Sequence, residues 1–127
     1  MSSKVLFVDD EGTVLKAISR ALNTDYDITT AYSSEEALQL MASRRYAVVV
    51  TDMRMPGGDG LWLINQAVSA GCDAKFIVLT GNCDALTREA VISSGRVDQF
   101  LTKPCSIVKL KEAIDAAIES RTASLSQ

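Results

Sequence analysis

Three or four carboxylates, a hydroxyl and an ammonium stand at the ends of four apolar runs in this chain. Lys4-Val-Leu-Phe-Val8 is followed by Asp9, Asp10 and Glu11, and Tyr46-Ala-Val-Val-Val-Thr51 by Asp52. Phe76-Ile-Val-Leu79 ends in Thr80, and Phe100-Leu-Thr102 ends in Lys103-Pro104. If these runs are strands of one parallel sheet, their C-terminal ends share an edge and the groups converge. Crowded carboxylates repel one another. A hard divalent cation relieves that repulsion, and Mg²⁺ suits a few carboxylates, waters and a phosphate. The expected site is therefore a metal-dependent phosphoryl centre. Asp52 is its nucleophile toward phosphorus, and Asp9 and Asp10 are metal ligands. Thr80 donates to a phosphoryl oxygen, and Lys103 is the cation that complements both Asp52 and a phosphate.

Each residue also has a plainer reading. Asp52 alone could cap a turn. Asp9 and Asp10 could serve the start of the first helix, where the dipole favours acids. Thr80 could be a strand residue, Lys103 a surface lysine and Phe100 a core residue. Their joint arrival at one sheet edge favours the chemical reading.

The elements that must position these groups alternate strand and helix five times, an α/β pattern. Helical spacing of apolar residues predicts a first helix over about Thr13 to Asn23, with Val14, Leu15, Ile18 and Leu22 on one face. A second strand is expected at Asp27 to Ala31. Ser33 and Glu36 match a capping box for a helix carrying Ala37, Leu38 and Met41. A turn-rich loop, residues 53 to 60, precedes a helix with Leu61, Ile64, Ala67 and Val68. The fourth strand is followed by a helix with Leu86, Ala90 and Val91 that ends near Gly95. After a fifth strand near Asp98 to Thr102, the last helix covers about Ile107 to Ser120. Five βα units fit a flavodoxin-like, doubly wound sheet of order 2-1-3-4-5, which sets strands 1 and 3 side by side at the switch point. Residues 1–120 read as one domain. Residues 121–127 read as a tail, or as the start of a linker to an absent output domain.

Composition narrows the classes. The chain has 127 residues, 47% of them hydrophobic, enough for one domain with a real core. No apolar run has the length of a membrane span, and the start is no signal peptide. A net charge of −3 argues against a nucleic-acid surface. There is no histidine, which excludes Ser-His-Asp and Cys-His catalysis within the chain. A phosphohistidine, if one is used, must come from a partner. Cys72, Cys83 and Cys105 lack metal-ligand spacing and suit free thiols in a reducing cytoplasm. A redox role for Cys83 or Cys105, both near the expected site, has nothing further to support it.

Taken in order, Val-Asp9-Asp10-Glu11, Thr-Asp52-Met-Arg-Met-Pro56 with Gly60, Leu-Thr80-Gly81 and Phe-Leu-Thr-Lys103-Pro104 closely resemble the receiver domain of two-component response regulators. The resemblance runs from about Val5 to Ile118. It implies that Asp52 accepts a phosphoryl group from a sensor histidine kinase or phosphotransfer protein. It implies direct Mg²⁺ ligation by Asp10, Asp52 and the backbone carbonyl of Arg54, with Asp9 acting mainly through water. Thr80 and Phe100 would be the switch residues, and the Lys103-Pro104 peptide would be cis. Signalling would be read on the fourth helix, fifth strand and fifth helix, a face suited to a homodimer. Arg88, Glu89, Arg96, Asp98, Lys109 and Glu112 would lie on it. The domain would be no enzyme beyond its own phosphotransfer and dephosphorylation.

The sequence departs from the pattern in two places. Phe100 stands where tyrosine is common, and Gly95-Arg96 where Gly-Ala is common. The Phe-Leu-Thr-Lys-Pro-Cys stretch looks most like regulators with HD-type phosphohydrolase outputs. Three other classes fit these residues less well. A haloacid-dehalogenase-type phosphatase wants an acid where Arg54 stands. A pseudo-receiver should have lost an acid or the lysine. Flavin binding would need a phosphate-cradling loop that the sequence lacks.

Overall fold

The structure, a computed structural model, describes residues 3–55, 59–81 and 85–125, with side chains as far as Arg121. Strands β1 (Lys4–Val8), β2 (Asp27–Ala31), β3 (Val48–Thr51), β4 (Lys75–Thr80) and β5 (Gln99–Thr102) form a parallel sheet. Its order is β2-β1-β3-β4-β5, the flavodoxin-like arrangement expected from the alternating pattern. Helices α1 (Gly12–Leu22), α2 (Ser34–Ser43), α3 (Gly60–Ser69), α4 (Ala85–Ser93) and α5 (Ile107–Leu125) make the connections.

The three inner strands β1, β3 and β4 are mostly apolar because both faces of the sheet are covered there, while the edge strands β2 and β5 carry more polar residues and are only partly buried. Alternate residues feed two cores. Leu6, Val8, Val49, Phe76 and Val78 face α2 and α3. Val5, Phe7, Val48, Val50, Ile77 and Leu79 pack with Leu15 and Leu22 of α1 and Leu110 and Ile114 of α5. Register carries this order to the C-terminal edge. Val8 pairs with Thr51 and Thr80 with Thr102, so the residues after these pairs emerge as neighbours.

Several local expectations need correction. Ser33 Oγ does accept from the Glu36 N–H at 3.1 Å, but the Glu36 carboxylate accepts from Tyr32 N–H rather than closing on Ser33. The cap therefore reaches one residue further back than a capping box. In α4 only Val91 is buried; Ala90 is exposed and Leu86 is 80% exposed. In α3, Leu63 joins Ile64 and Ala67 in the core, while Leu61 is only partly buried. Helix α5 continues to Leu125, five residues past its expected end, and Arg121 pairs with Asp73 at 3.4 Å. No helix among the described residues is long and apolar enough to cross a membrane.

Candidate functional site

Four strand ends build the site. The Asp9 N–H donates to Ala31 O at 3.1 Å and the Asp52 N–H to Val8 O at 3.0 Å, so the sheet ladder itself fixes both acids. The Lys103 N–H donates to Thr80 O at 2.9 Å, which ties the end of β5 to the end of β4. The Lys103-Pro104 peptide is cis, as the resemblance implied.

Lys103 is the centre of the cluster. Its ammonium donates to Asp9 Oδ2 at 2.8 Å and to Asp52 Oδ2 at 3.1 Å. Both acids are largely buried. Burial alone would lower the lysine pKa, but the hydrogen bonds and charges of Asp9 and Asp52 outweigh it, so the pKa lies above the ordinary lysine value. The ammonium is thus held charged between two carboxylates. The sequence reading set Lys103 against Asp52; its shorter bond is to Asp9.

The remaining oxygens are also organised. Asp9 Oδ1 accepts from the Glu11 N–H at 2.9 Å, and Asp52 Oδ1 from the Arg54 N–H at 3.3 Å. Helix α1 takes no side-chain cap from either aspartate: its N-cap is Glu11, without a side-chain cap bond, and its first turn has no acid. Asp10 is exposed, yet one oxygen each of Asp9, Asp10 and Asp52 fall within 4.8 Å of one another. Two ligands on one small divalent cation at about 2.1 Å lie at most about 4.2 Å apart. Three ligands cannot all be trans, and neighbouring octahedral ligands stand about 3.0 Å apart, so the carboxylates would turn inward by about an ångström, or reach through water, to share the cation; three hard oxygen donors at one edge suit that chemistry. Thr80 is buried at the end of β4, beside the same edge. A Cβ added to Gly81 would meet only the Lys103 stem at 3.7 Å, an ordinary contact.

Two positioning features escaped the sequence reading. Asp59 is the N-cap of α3, its Oδ1 accepting from the Trp62 N–H at 2.8 Å. Gly60 donates its N–H to Met53 O at 2.9 Å, and a Cβ there would lie 2.5 Å from Asp52 O. An Asp-Gly pair just before an apolar helical run was the available signal. The second feature is the Arg88 guanidinium, 5.2 Å from the centroid of the half-buried Phe100 ring. Nothing in the sequence announces that pair.

Residues 5–115 match the family model described as the response regulator receiver domain. The chain belongs to that family. As a receiver domain of two-component systems it has curated relatives such as response regulator MprA of Mycolicibacterium vanbaalenii. That match is 34% identical over 123 residues, covering 96% of this chain and 53% of the relative. MprA of Mycobacterium ulcerans is 35% identical, over 87% of this chain and 47% of the relative. The receiver domain thus spans about half the length of the curated relatives it matches. Among solved structures, an adenylate cyclase from Rhodopirellula baltica is 35% identical with TM-score 0.92, covering 99% of this chain and 94% of that one. A response regulator receiver domain protein from Clostridium thermocellum is 31% identical with TM-score 0.86, covering 95% and 98%. The signal receiver domain of an HD domain-containing protein from Pseudomonas fluorescens Pf-5 is 27% identical with TM-score 0.90, covering 97% and 99%.

Other expected residues fall out differently. Arg96 donates from Nη1 to Asn65 Oδ1 of α3 at 2.9 Å. Asp98 accepts from the Phe76 N–H at 3.1 Å and sits 3.9 Å from the Lys75 ammonium. Both residues are exposed and also make contacts within the domain. Burial pushes the Cys105 thiol pKa up, with Lys109 opposing, so this cysteine lacks the low pKa of a reactive thiolate. Cys83 and Pro56 lie outside the described residues.

Proposed function

We propose that the domain is a phosphorylation-controlled switch that takes a phosphoryl group on Asp52. The observation that carries this reading is the Lys103 ammonium shared by Asp9 and Asp52, with Asp10 beside them at the same sheet edge. When bound at Asp10, Asp52 and the Arg54 carbonyl, with Asp9 acting through water, Mg²⁺ would neutralise the acids and hold phosphoryl oxygens. Asp52 attacks phosphorus: a carboxylate O–P bond forms as the N–P bond of a partner's phosphohistidine breaks. The electron pair stays on the imidazole nitrogen, which then takes a proton from water. These 127 residues hold no histidine, so the donor histidine lies outside this domain, on a sensor kinase or phosphotransfer protein. Lys103 offsets the added negative charge, and Thr80 turns to donate to a phosphoryl oxygen. Phe100 follows inward.

On this reading the domain turns over no separate substrate and works in the cytoplasm. Its signal leaves through α4, β5 and α5, which carry Phe100 and the exposed side chains of Leu86 and Val108, and which could support a homodimer. An HD-type output has one supporting structural relative, and the adenylate cyclase match supports a different one. Acetyl phosphate with Mg²⁺ should add one phosphoryl group by intact mass, and Asp52→Asn should prevent it. A second site labelled to equal extent sinks the assignment. Turnover of p-nitrophenyl phosphate would favour a phosphatase instead.

A further inference from the structure

A cavity of about 510 Å³ lies at the opposite edge of the sheet from the acids. It opens between the end of α2 and the end of α3, just before β3 and β4 begin. Its volume falls in the range of about 300–1,000 Å³ typical of small-ligand sites. Leu38, Met41 and Ala67 give it an apolar wall. Gly71, at φ 88°, turns the chain after α3 so that residues 71–73 form the facing wall.

Two kinds of polar group in this wall have no partner. Tyr46 is 2% exposed, and its hydroxyl is buried without a hydrogen bond among the described residues. It therefore lacks the partner that buried polar groups ordinarily have. Arg44 and Arg45 also line the cavity, both exposed, and neither forms an ion pair among the described residues. Asp73, the acid of the lining, is already engaged, its oxygens accepting from Arg121 Nη2 at 3.4 and 3.5 Å. The rim therefore offers two free guanidinium groups, which match a carboxylate or phosphate by paired hydrogen bonds.

We propose that this cavity binds a small organic anion: an apolar body against Leu38 and Met41, an acidic head on Arg44 and Arg45, and a polar atom on the Tyr46 hydroxyl. The site shares no residue with the acidic edge, so it stands or falls independently of phosphorylation. Isotope-labelled protein would be titrated with naphthalene-1-acetate, 1-naphthyl phosphate and the neutral naphthalene-1-acetamide, following backbone amide shifts. At least one anion should give saturable shifts confined to residues 38–46 and 67–73, and comparing the two identifies the preferred head group. The amide should bind at least about tenfold more weakly. Joint Arg44→Gln and Arg45→Gln substitution should weaken the anion by at least about tenfold, and Tyr46→Phe by about three- to tenfold. Both variants keep the fold's apolar packing, which their amide spectra will show. No saturable shift from either anion, equal binding of the amide, or unchanged affinity in both variants would overturn the proposal and leave a water-filled groove.

Discussion

Gly60 lies so close to Asp52 that a Cβ on it would stand 2.5 Å from the Asp52 carbonyl oxygen and 3.1 Å from the Met53 Cα. Both obstacles are backbone, which cannot swing aside as a side chain would. The start of α3 therefore packs directly on the peptide of Asp52, the proposed phosphoacceptor. Gly60→Ala should force the two segments apart and lower stability by about 1–3 kcal/mol, the usual cost of overpacking. Urea unfolding measures the loss. Acetyl phosphate labelling of the folded variant should slow as well, because Asp52 moves relative to Asp10. Wild-type stability and labelling together would show that the contact relaxes freely.

Lys103 holds two acids at once, so its removal should separate chemistry from response. Lys103→Ala keeps Asp52 and Asp10, and phosphorylation by acetyl phosphate should persist. What disappears is the point charge that can draw the end of β5 toward a new phosphate. Amide shifts in α4 on beryllofluoride addition should largely vanish in the variant while remaining in wild type. Full persistence of those shifts would contradict the role given to Lys103.

Arg88 rests on the Phe100 ring and stabilises its half-buried position. A cation over an aromatic face at a partly exposed site contributes about 0.5–1 kcal/mol. If Phe100 must leave that position on activation, Arg88→Ala should shift the switch toward its active form by about two- to fivefold. The shift is read from the populations of α4 resonances at sub-saturating beryllofluoride. A double-mutant cycle with Phe100→Leu isolates the pair. A coupling energy of zero would mean that the two residues are merely adjacent.

Legibility differed by element for physical reasons. The strands were readable because β1, β3 and β4 are buried on both faces and so are written in apolar residues between their ends. Their ends were readable because polar groups appear abruptly at Asp9, Asp52, Thr80 and Lys103. Strand β3 is shorter than its apolar run, since Tyr46 precedes the paired residues. Helix α4 was misjudged because it buries only Val91, and one anchor does not define a face. Leu86 and Ala90 fit a helical period yet face solvent. The extension of α5 to Leu125 passes through serines and a threonine that favour caps and turns, so propensity ended the helix early. Asp59 and Gly60 sat inside a loop dense with turn residues, where one cap is hard to distinguish from its neighbours. The Arg88–Phe100 and Arg121–Asp73 contacts join residues far apart in sequence, and only the fold brings them together.

Tyr26 gives the domain an alkaline limit. Its hydroxyl donates to Asp115 Oδ1 at 2.6 Å, linking the segment before β2 to α5. Burial first, and then the hydrogen bond and charge of Asp115, push the Tyr26 pKa well above the ordinary tyrosine value of 10.0. The unfolded chain ionises this phenol near pH 10. Above that pH the unfolded state binds fewer protons than the native state, and stability must fall as pH rises. The contribution is fully present below about pH 10 and is lost progressively toward the raised native value. Lys103, whose pKa is also raised, adds a loss of the same sign that starts near the ordinary lysine value of 10.5. Tyr26→Phe removes the earlier component alone. The variant should be less stable than wild type at pH 8 by about 0.5–1.5 kcal/mol for the lost hydrogen bond. The gap should narrow as pH passes 10, because wild type then loses what the variant never had. Urea unfolding of both proteins at pH 8, 9, 10 and 11 tests this, and parallel stability curves across that range would show that Tyr26 ionises no later in the folded protein than in the unfolded chain.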